Sequence, residues 1–178
     1  MKKETLLIIV ALVAILSLFP STTLWAADGD IFTAKTVEDM ELNFKVISEE
    51  DKTCMVGTDN DTYPNAIFWP STGGHITIPE NANGYRVTCI GCLAFSNCKW
   101  LTSVTIPSSV TIIRGGAFSW CSSLTGIDIP EGVTVIEDYT KYGNNYGTFQ
   151  DCTSLTSITI PSTVTSIGNI AFTGCYAI

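Results

Sequence analysis

Four times this chain spells the same phrase at nearly the same interval, and that repetition limits its fold more than any other feature. Each phrase opens on an Ile-x-Ile-Pro step, or Val-x-Ile-Pro in one case, ending at Pro79, Pro107, Pro130 and Pro161. A Val-Thr-x-Ile step follows, beginning at Val87, Val110, Val133 and Val164. Each phrase closes on Phe-x-x-Cys, at Phe95/Cys98, Phe118/Cys121, Phe149/Cys152 and Phe172/Cys175. The phenylalanines are spaced by 23, 31 and 23 residues, so the middle interval is one period plus eight. A unit this short cannot bury its apolar face alone and must stack on its neighbours into a solenoid. Such a stack presents a long surface rather than a pocket, which points to binding and away from catalysis.

Overlaying the units gives the fold class. A leucine stands six residues ahead of three of the prolines, as Leu101, Leu124 and Leu155. Leucine and isoleucine at fixed offsets in a 20–29-residue period predict a leucine-rich-repeat right-handed solenoid, mainly β. Alternation turns the isoleucines inward and the residues between them outward. Proline ends each strand because it has no N–H for the ladder. The small residue or Thr before each phenylalanine is expected to turn the corner in short helical turns, stacking the rings into a spine. Burying one such side chain is worth roughly 1.5–3 kcal/mol. Two units carry insertions: residues 81–85 lengthen the first turn, and eight extra residues lie within 137–147. Insertions in solenoids go to loops, often on the binding face.

The remainder of the chain reads differently. Lys2 and Lys3 precede an apolar run over 6–19 and a small-residue site at Ala26-Ala27, the pattern of a signal peptide over 1–26. The run is too short to span a bilayer, so export to the exterior or the cell surface is expected, with no membrane span after cleavage. Residues 28–75 read as an N-terminal β cap: Leu42, Phe44 and Val46 alternate with polar residues, a polar turn follows at 49–52, and an apolar pattern resumes. That is a β-hairpin cap, which a solenoid needs because an open end exposes core and strand edges. Residues 76–178 hold the four repeats. The chain carries 17 acidic and 9 basic residues, net −8; removing Lys2, Lys3 and Glu4 with the leader would take it to −9. Such a surface repels phosphate backbones, which excludes nucleic acid as a partner. The acidic runs at 38–41, 49–51 and 59–61 are expected to be solvated surface, and none has the spacing of a calcium loop.

The unit at 101–121, Leu-Thr-Ser-Val-Thr-Ile-Pro-Ser-Ser-Val-Thr-Ile-Ile-x-x-x-Ala-Phe-x-x-Cys, closely resembles the BspA-like leucine-rich repeat of secreted and surface proteins, common in Bacteroidetes. The resemblance covers 76–178, and 28–75 resembles the hairpin that precedes such repeats. It implies a non-catalytic, secreted or cell-surface protein-interaction or adhesion module, whose partner is an extracellular protein (host matrix or another cell-surface protein). The sequence departs from the pattern after Cys175, where no further strand follows. Self-association through the C-terminal rung, around Ile167, Ile170 and Phe172, is therefore expected.

The chemistry-bearing residues point the same way. Cys98, Cys121, Cys152 and Cys175 occupy one repeat position, where neighbours sit about 4.8 Å apart and point in parallel. That favours buried thiols over disulfides. Cys89-Ile-Gly-Cys92 is the sharpest motif, and a thiol oxidoreductase using Cys89 and Cys92 is the less favoured enzymatic alternative. It lies in an extended turn rather than at a helix start, and no second Cys-x-x-Cys completes a zinc site. The single histidine, His75, has no evident catalytic partners, and no phosphate-cradling or dinucleotide motif is present, so neither cofactor nor metal is expected. Asn60-Asp-Thr62 matches a glycosylation sequon. The outward residues of the Ile-x-Ile strands, Thr77, Thr105, Asp128 and Thr159, form a flat hydroxyl-rich strip. Tyr139, Tyr142 and Tyr146 cluster with Gly and Asn in the long insertion, the chemistry of adaptable recognition loops. Trp100 and Trp120 fall where other units carry polar residues, so exposure is expected, and surface aromatics are enriched at binding hot spots. These residues are the candidate partner surface. A glycan-binding module is the alternative reading of the same aromatics and hydroxyls.

Overall fold

The computed structural model describes residues 27–59, 66, 74–141 and 143–178. The leader at 1–26, the sequon at 60–62 and Tyr142 lie outside the described residues.

The described residues begin with a three-stranded antiparallel meander. β1 (Ile31–Lys35) pairs β2 (Glu41–Ser48), which pairs β3 (Thr53–Val56). The alternation in β2 buries Leu42, Phe44 and Val46 on one face. Sequence reasoning found the β2–β3 hairpin and missed β1, whose residues are only half-buried or exposed and so carry a weak pattern. Phe32 of β1 stacks on Phe44 at 5.5 Å between ring centroids.

The rungs follow. The Ile-x-Ile strands are β4 (His75–Thr77), β7 (Ser103–Thr105), β9 (Gly126–Asp128) and β13 (Ser157–Thr159). The Val-Thr-x-Ile steps are β6 (Tyr85–Ile90), β8 (Ile112–Ile113), β10 (Val135–Ile136) and β14 (Ser166–Ile167). The second set forms the backbone of the molecule. β3 passes the ladder in parallel to β6, and β8, β10 and β14 continue it, so meander and rungs share one sheet. The Ile-x-Ile strands make two separate parallel pairs, β4 with β7 and β9 with β13. The Ile-x-Ile ladder is thus the interrupted one.

Each proline after an Ile-x-Ile strand starts a tight reversal: the N–H groups of Val110, Val133 and Val164 donate to the carbonyls of Pro107, Pro130 and Pro161 at 3.0–3.2 Å. In the first rung the insertion makes a small hairpin instead. β5 (Asn81–Ala82) pairs β6 across Asn83-Gly84, both left-handed at φ 49° and 87°, the residue pair such two-residue turns favour. The long insertion is likewise an ordered hairpin, β11 (Asp138–Lys141) against β12 (Asn144–Gly147).

The corners are turns, with no helix among the described residues, which corrects the expected helical turns. Corner N–H groups alternate in direction: Ala94, Ser96 and Cys98 close i→i−3 turns on Gly91, Leu93 and Phe95, whereas Phe95, Phe118 and Phe149 donate to the carbonyls of Ala117, Thr148 and Ala171 one rung on, at 2.7–2.8 Å. With every second N–H donated to the next rung, the corner closes as i→i−3 turns and no i→i−4 helix forms. The rings stack as expected, at 5.3, 5.5 and 5.4 Å and within 6° of parallel. The cysteine column has a second role beyond filling space. Cys121, Cys152 and Cys175 donate Sγ–H to the carbonyls of Phe95, Phe118 and Phe149 at 3.0–3.2 Å. All seven cysteines are free thiols.

Candidate functional site

The long insertion docks on the solenoid because the preceding rung makes room for it. Gly115 and Gly116 stand where the first and fourth rungs carry Cys92-Leu93 and Asn169-Ile170. A Cβ on Gly115 would overlap the backbone of Tyr139, and one on Gly116 would crowd Leu93 and lie 3.1 Å from Cβ of Tyr146. On the other side Gly147 lies against the Ile170 carbonyl. Buried Thr148, which replaces the usual alanine, donates its hydroxyl to the Glu137 carbonyl at 2.6 Å and closes the base of the hairpin. The Asp138 carboxylate accepts the Ile170 N–H at 3.0 Å and pins the hairpin to the fourth rung.

Tyr139 and Tyr146 are directly paired across the hairpin, and their rings lie 6.1 Å apart at 29°. Trp120 meets Tyr146 edge-on at 5.8 Å and 77°. All three rings are half-buried. The structure therefore brings together Trp120, Tyr139 and Tyr146, and Tyr142 at the hairpin tip is outside the described residues. Trp100 does not join them. It packs against the hydrophobic core and is half-buried. The expected exposure of both tryptophans is corrected, because each finds apolar contacts that position-by-position comparison of rungs cannot show.

Trp120 has an unusual backbone. Asn97, Trp120, Asp151 and Gly174 share one position in the four rungs, and all four are left-handed, at φ 63°, 58°, 58° and 81°. Asn, Asp and Gly tolerate that conformation, whereas a bulky residue there is an outlier. Sequence comparison identified Trp120 as out of place in its column and missed the backbone reason.

The hydroxyl strip lies elsewhere on the rungs. Thr77 aligns with Thr105, and Asp128 with Thr159, in two separate ladders. Thr159 donates to Asp128 Oδ1 at 2.8 Å, and Thr105, Asp128 and Thr159 are exposed. Thr77 is partly covered by Glu38, whose carboxylate accepts its hydroxyl at 2.6 Å and its N–H at 3.1 Å. His75 sits beside this contact, with Nδ1 2.7 Å from Ser103 Oγ and Nε2 3.2 Å from Thr77 Oγ1.

Glu38 is one of three carboxylates that bind the meander to the rungs. Glu49 accepts the Tyr85 hydroxyl. Asp59 accepts the Cys92 N–H at 3.0 Å and pairs with Arg114 at 2.6 Å. Each of the three acidic runs expected to be solvated surface therefore sends one member across to a rung. Asp59 and Arg114 also flank the Cys-x-x-Cys. Burial pushes the Cys89 thiol up to about 12 and Cys92 to about 11, against the pull of Arg114. A redox nucleophile needs the opposite shift. Among the described residues no group of three or more His, Cys, Asp or Glu side chains is placed to hold a metal ion.

A family model for the BspA type leucine rich repeat region matches residues 64–178 in six copies. The crystal structure of a leucine-rich repeat protein from Bacteroides ovatus matches with a TM-score of 0.55 and 27% identity, over 81% of this chain and 33% of that one. The chain thus spans a third of that protein's resolved length. A T. pallidum leucine rich repeat protein matches at 18% identity and TM-score 0.48, over 90% of this chain and 69% of that one. A leucine rich cell surface protein from Faecalibacterium prausnitzii matches at 24% identity and TM-score 0.36, over 83% and 53%. Among curated proteins, none matches. The chain belongs to the BspA type leucine rich repeat family, whose repeats form protein-interaction scaffolds that are generally non-catalytic.

Proposed function

We propose that the chain is a secreted or cell-surface adhesion module that binds an extracellular protein through the aromatic corner of its third rung. The observation that carries this reading is the docked hairpin: two consecutive glycines in one rung seat an insertion from the next, and the insertion sets Tyr139 and Tyr146 against Trp120. Rigid aromatic anchors on a preorganised surface are the usual centres of protein recognition, because they offer large contact area at low entropic cost. The leader-like pattern of residues 1–26 and the family's association with surfaces support an extracellular setting. The raised thiols of Cys89 and Cys92 weigh against the oxidoreductase alternative.

The test is binding to a panel of purified matrix proteins and mucins, with the protein and with a Tyr139→Ser/Tyr142→Ser/Tyr146→Ser variant. A ligand bound by the first and lost by the second is the expected result. A ligand unaffected by the variant would move the contact to another face. Binding to deglycosylated partners at full strength separates a protein ligand from a glycan one.

A further inference from the structure

We propose that Cys152 and Cys175 are a redox-sensitive thiol pair, which a small-molecule disulfide converts into a disulfide bond between the third and fourth rungs. The cysteine column is otherwise built against such a bond, because parallel side chains on rungs about 4.8 Å apart hold their sulfurs side by side. Three observations set its last member apart. The first is access. Cys98, Cys121 and Cys152 are buried and Cys175 is half-buried, so the last thiol of the column is the one a reagent in solution reaches. The fourth rung also has a neighbour on one side only among the described residues, and its corner can shift without displacing a further rung.

The second is the backbone that carries it. Each column cysteine follows the left-handed residue of its corner, which is Asn97, Trp120 and Asp151 in three rungs and Gly174 in the fourth. A Cβ on Gly174 would crowd the Asp151 carboxylate and lie 3.2 Å from Asp151 Cα. Glycine thus lets the fourth corner approach the third at the residues next to both thiols, and its conformational freedom lets Cys175 swing. Bonded cysteines have Cα atoms roughly 4.4–6.8 Å apart and Cβ atoms roughly 3.5–4.5 Å apart. Rungs about 4.8 Å apart meet the first range and miss the second by a few tenths of an ångström, a movement that a glycine-jointed end corner allows.

The third is contact. Cys152 and Cys175 each donate to a phenylalanine carbonyl one rung back, and the Cys175 sulfur also lies within hydrogen-bonding reach of the Cys152 thiol and N–H. The Cys152 thiol holds Cys175 below its ordinary value, against partial burial. The same contact, with burial, pushes Cys152 far above its own. Cys175 is therefore the attacking thiolate and Cys152 the resolving thiol. The Cys175 thiolate attacks the small disulfide, forms a mixed disulfide and releases one thiolate. The Cys152 sulfur then attacks the Cys175 sulfur, and its proton passes to the second thiolate as it leaves. The pair gives up two electrons and two protons, and the small disulfide takes them up as two thiols.

The experiment incubates the reduced, folded protein with oxidised glutathione at mildly alkaline pH, quenches in acid and alkylates the remaining thiols. Lys141 is the last basic residue, so trypsin releases residues 142–178 with Cys152 and Cys175 as their only cysteines. That peptide is expected to lose two hydrogens and to escape alkylation, and its mass reads the bond directly. Cys152→Ser, whose hydroxyl can still donate to the Phe118 carbonyl, is expected to stop at a glutathione adduct on Cys175. Cys175→Ser is expected to leave Cys152 as the free thiol. Gly174→Asn, which carries the first rung's residue at this position, should form the mixed disulfide at an unchanged rate and close it several-fold more slowly. The closed protein should unfold at a higher urea concentration than the reduced one, because the bond ties down the least covered rung. A 142–178 peptide that keeps both hydrogens while the protein stays folded overturns the inference. So does a glutathione adduct on Cys152 in Cys175→Ser, or a urea midpoint that closure fails to raise, since the native stack would not then be what brings the two thiols together.

Discussion

Phe118 and Trp120 lie two residues apart in one corner and answer to different demands. Phe118 is sandwiched between Phe95 and Phe149 and is fully buried. Its replacement by alanine removes both stacks and leaves a cavity closed at each end, so Phe118→Ala is expected to cost about 3–5 kcal/mol in urea unfolding. Phe172→Ala, with a ring neighbour on one side and partial burial, should cost clearly less. Trp120 contributes little to the fold. The left-handed backbone costs an ordinary residue roughly 1–2 kcal/mol, about what its edge contact with Tyr146 returns. Trp120→Asn should therefore change stability by less than about 1 kcal/mol, although it deletes a larger side chain than Phe118→Ala does. Cys89 and Cys92 give a second test at this scale. Their raised thiols predict negligible alkylation by iodoacetamide at pH 7.5 in the folded protein and full alkylation in urea, while half-buried Cys175 should react first. The spine was legible in the sequence because every rung repeats the same residue at the same offset. The strain at Trp120 was legible only as an odd residue in its column, since backbone sign is not written in side-chain type.

The elements are joined by contacts that repeat counting cannot see. The meander's antiparallel β3 hands its ladder to the parallel β6, and three carboxylates reinforce the junction from different loops. Read as composition, 38–41, 49–51 and 59–61 are only charge. Their partners Thr77, Tyr85 and Arg114 lie 36 to 55 residues away, beyond any local pattern. Partial desolvation pushes the Glu38 carboxyl up, and hydrogen bonds from Thr77 and Thr36 outweigh it, leaving it below the ordinary carboxylate range. Glu49 is likewise held low by Lys52 and the Tyr85 hydroxyl. Lowered native values mean that these groups stabilise the fold fully above the unfolded carboxylate value of about 4.3, and that the contribution drains as pH falls through the native values. The Tyr85 hydroxyl, held up at about 12 chiefly by its hydrogen bond to Glu49, gives the opposite edge: its contribution is complete below about 10 and is lost as pH rises through 12. The buried Cys89 and Cys92 thiols, held at about 12 and 11, add to that limb from the unfolded thiol value of about 8.5, so urea midpoints should be level from about pH 5 to 8 and fall on both sides. Glu38→Gln with Glu49→Gln should flatten the acid limb, and an unchanged acid limb in that variant would assign it to other carboxylates. The docked hairpin was hidden for the same reason as the carboxylate contacts. Its insertion was visible as eight extra residues, but the site that receives it is the glycine pair of the previous rung.

At the scale of the whole molecule the solenoid is a one-dimensional stack in which each rung is covered by the next. The same repeat positions measure that cover directly. Ile90, Ile113 and Ile136 are fully buried, and their equivalent in the fourth rung, Ile167, is 42% exposed. Ile78, Ile106 and Ile129 are likewise buried, against 38% for Ile160. Both isoleucines lie in or beside strands, β14 and β13, whose outer edges pair with no further strand among the described residues. Apolar side chains next to open strand edges favour edge-to-edge association. The meander end is closed by antiparallel pairing and by the Glu38 contact, so the asymmetry predicts pairing through the fourth rung rather than growth into fibres. A dimer is therefore expected by light scattering at high protein concentration, reverting to monomer in Ile160→Lys/Ile167→Lys. A chain extended by one further rung copied from residues 101–123, with lysine at the copies of Ile106 and Ile113, should also be monomeric, because the added rung covers Ile160 and Ile167 while leaving them in place and its own outer edge is charged. If the chain extended by the lysine-bearing rung stays dimeric, the contact is made by the strip of outward residues and not by the open end of the stack.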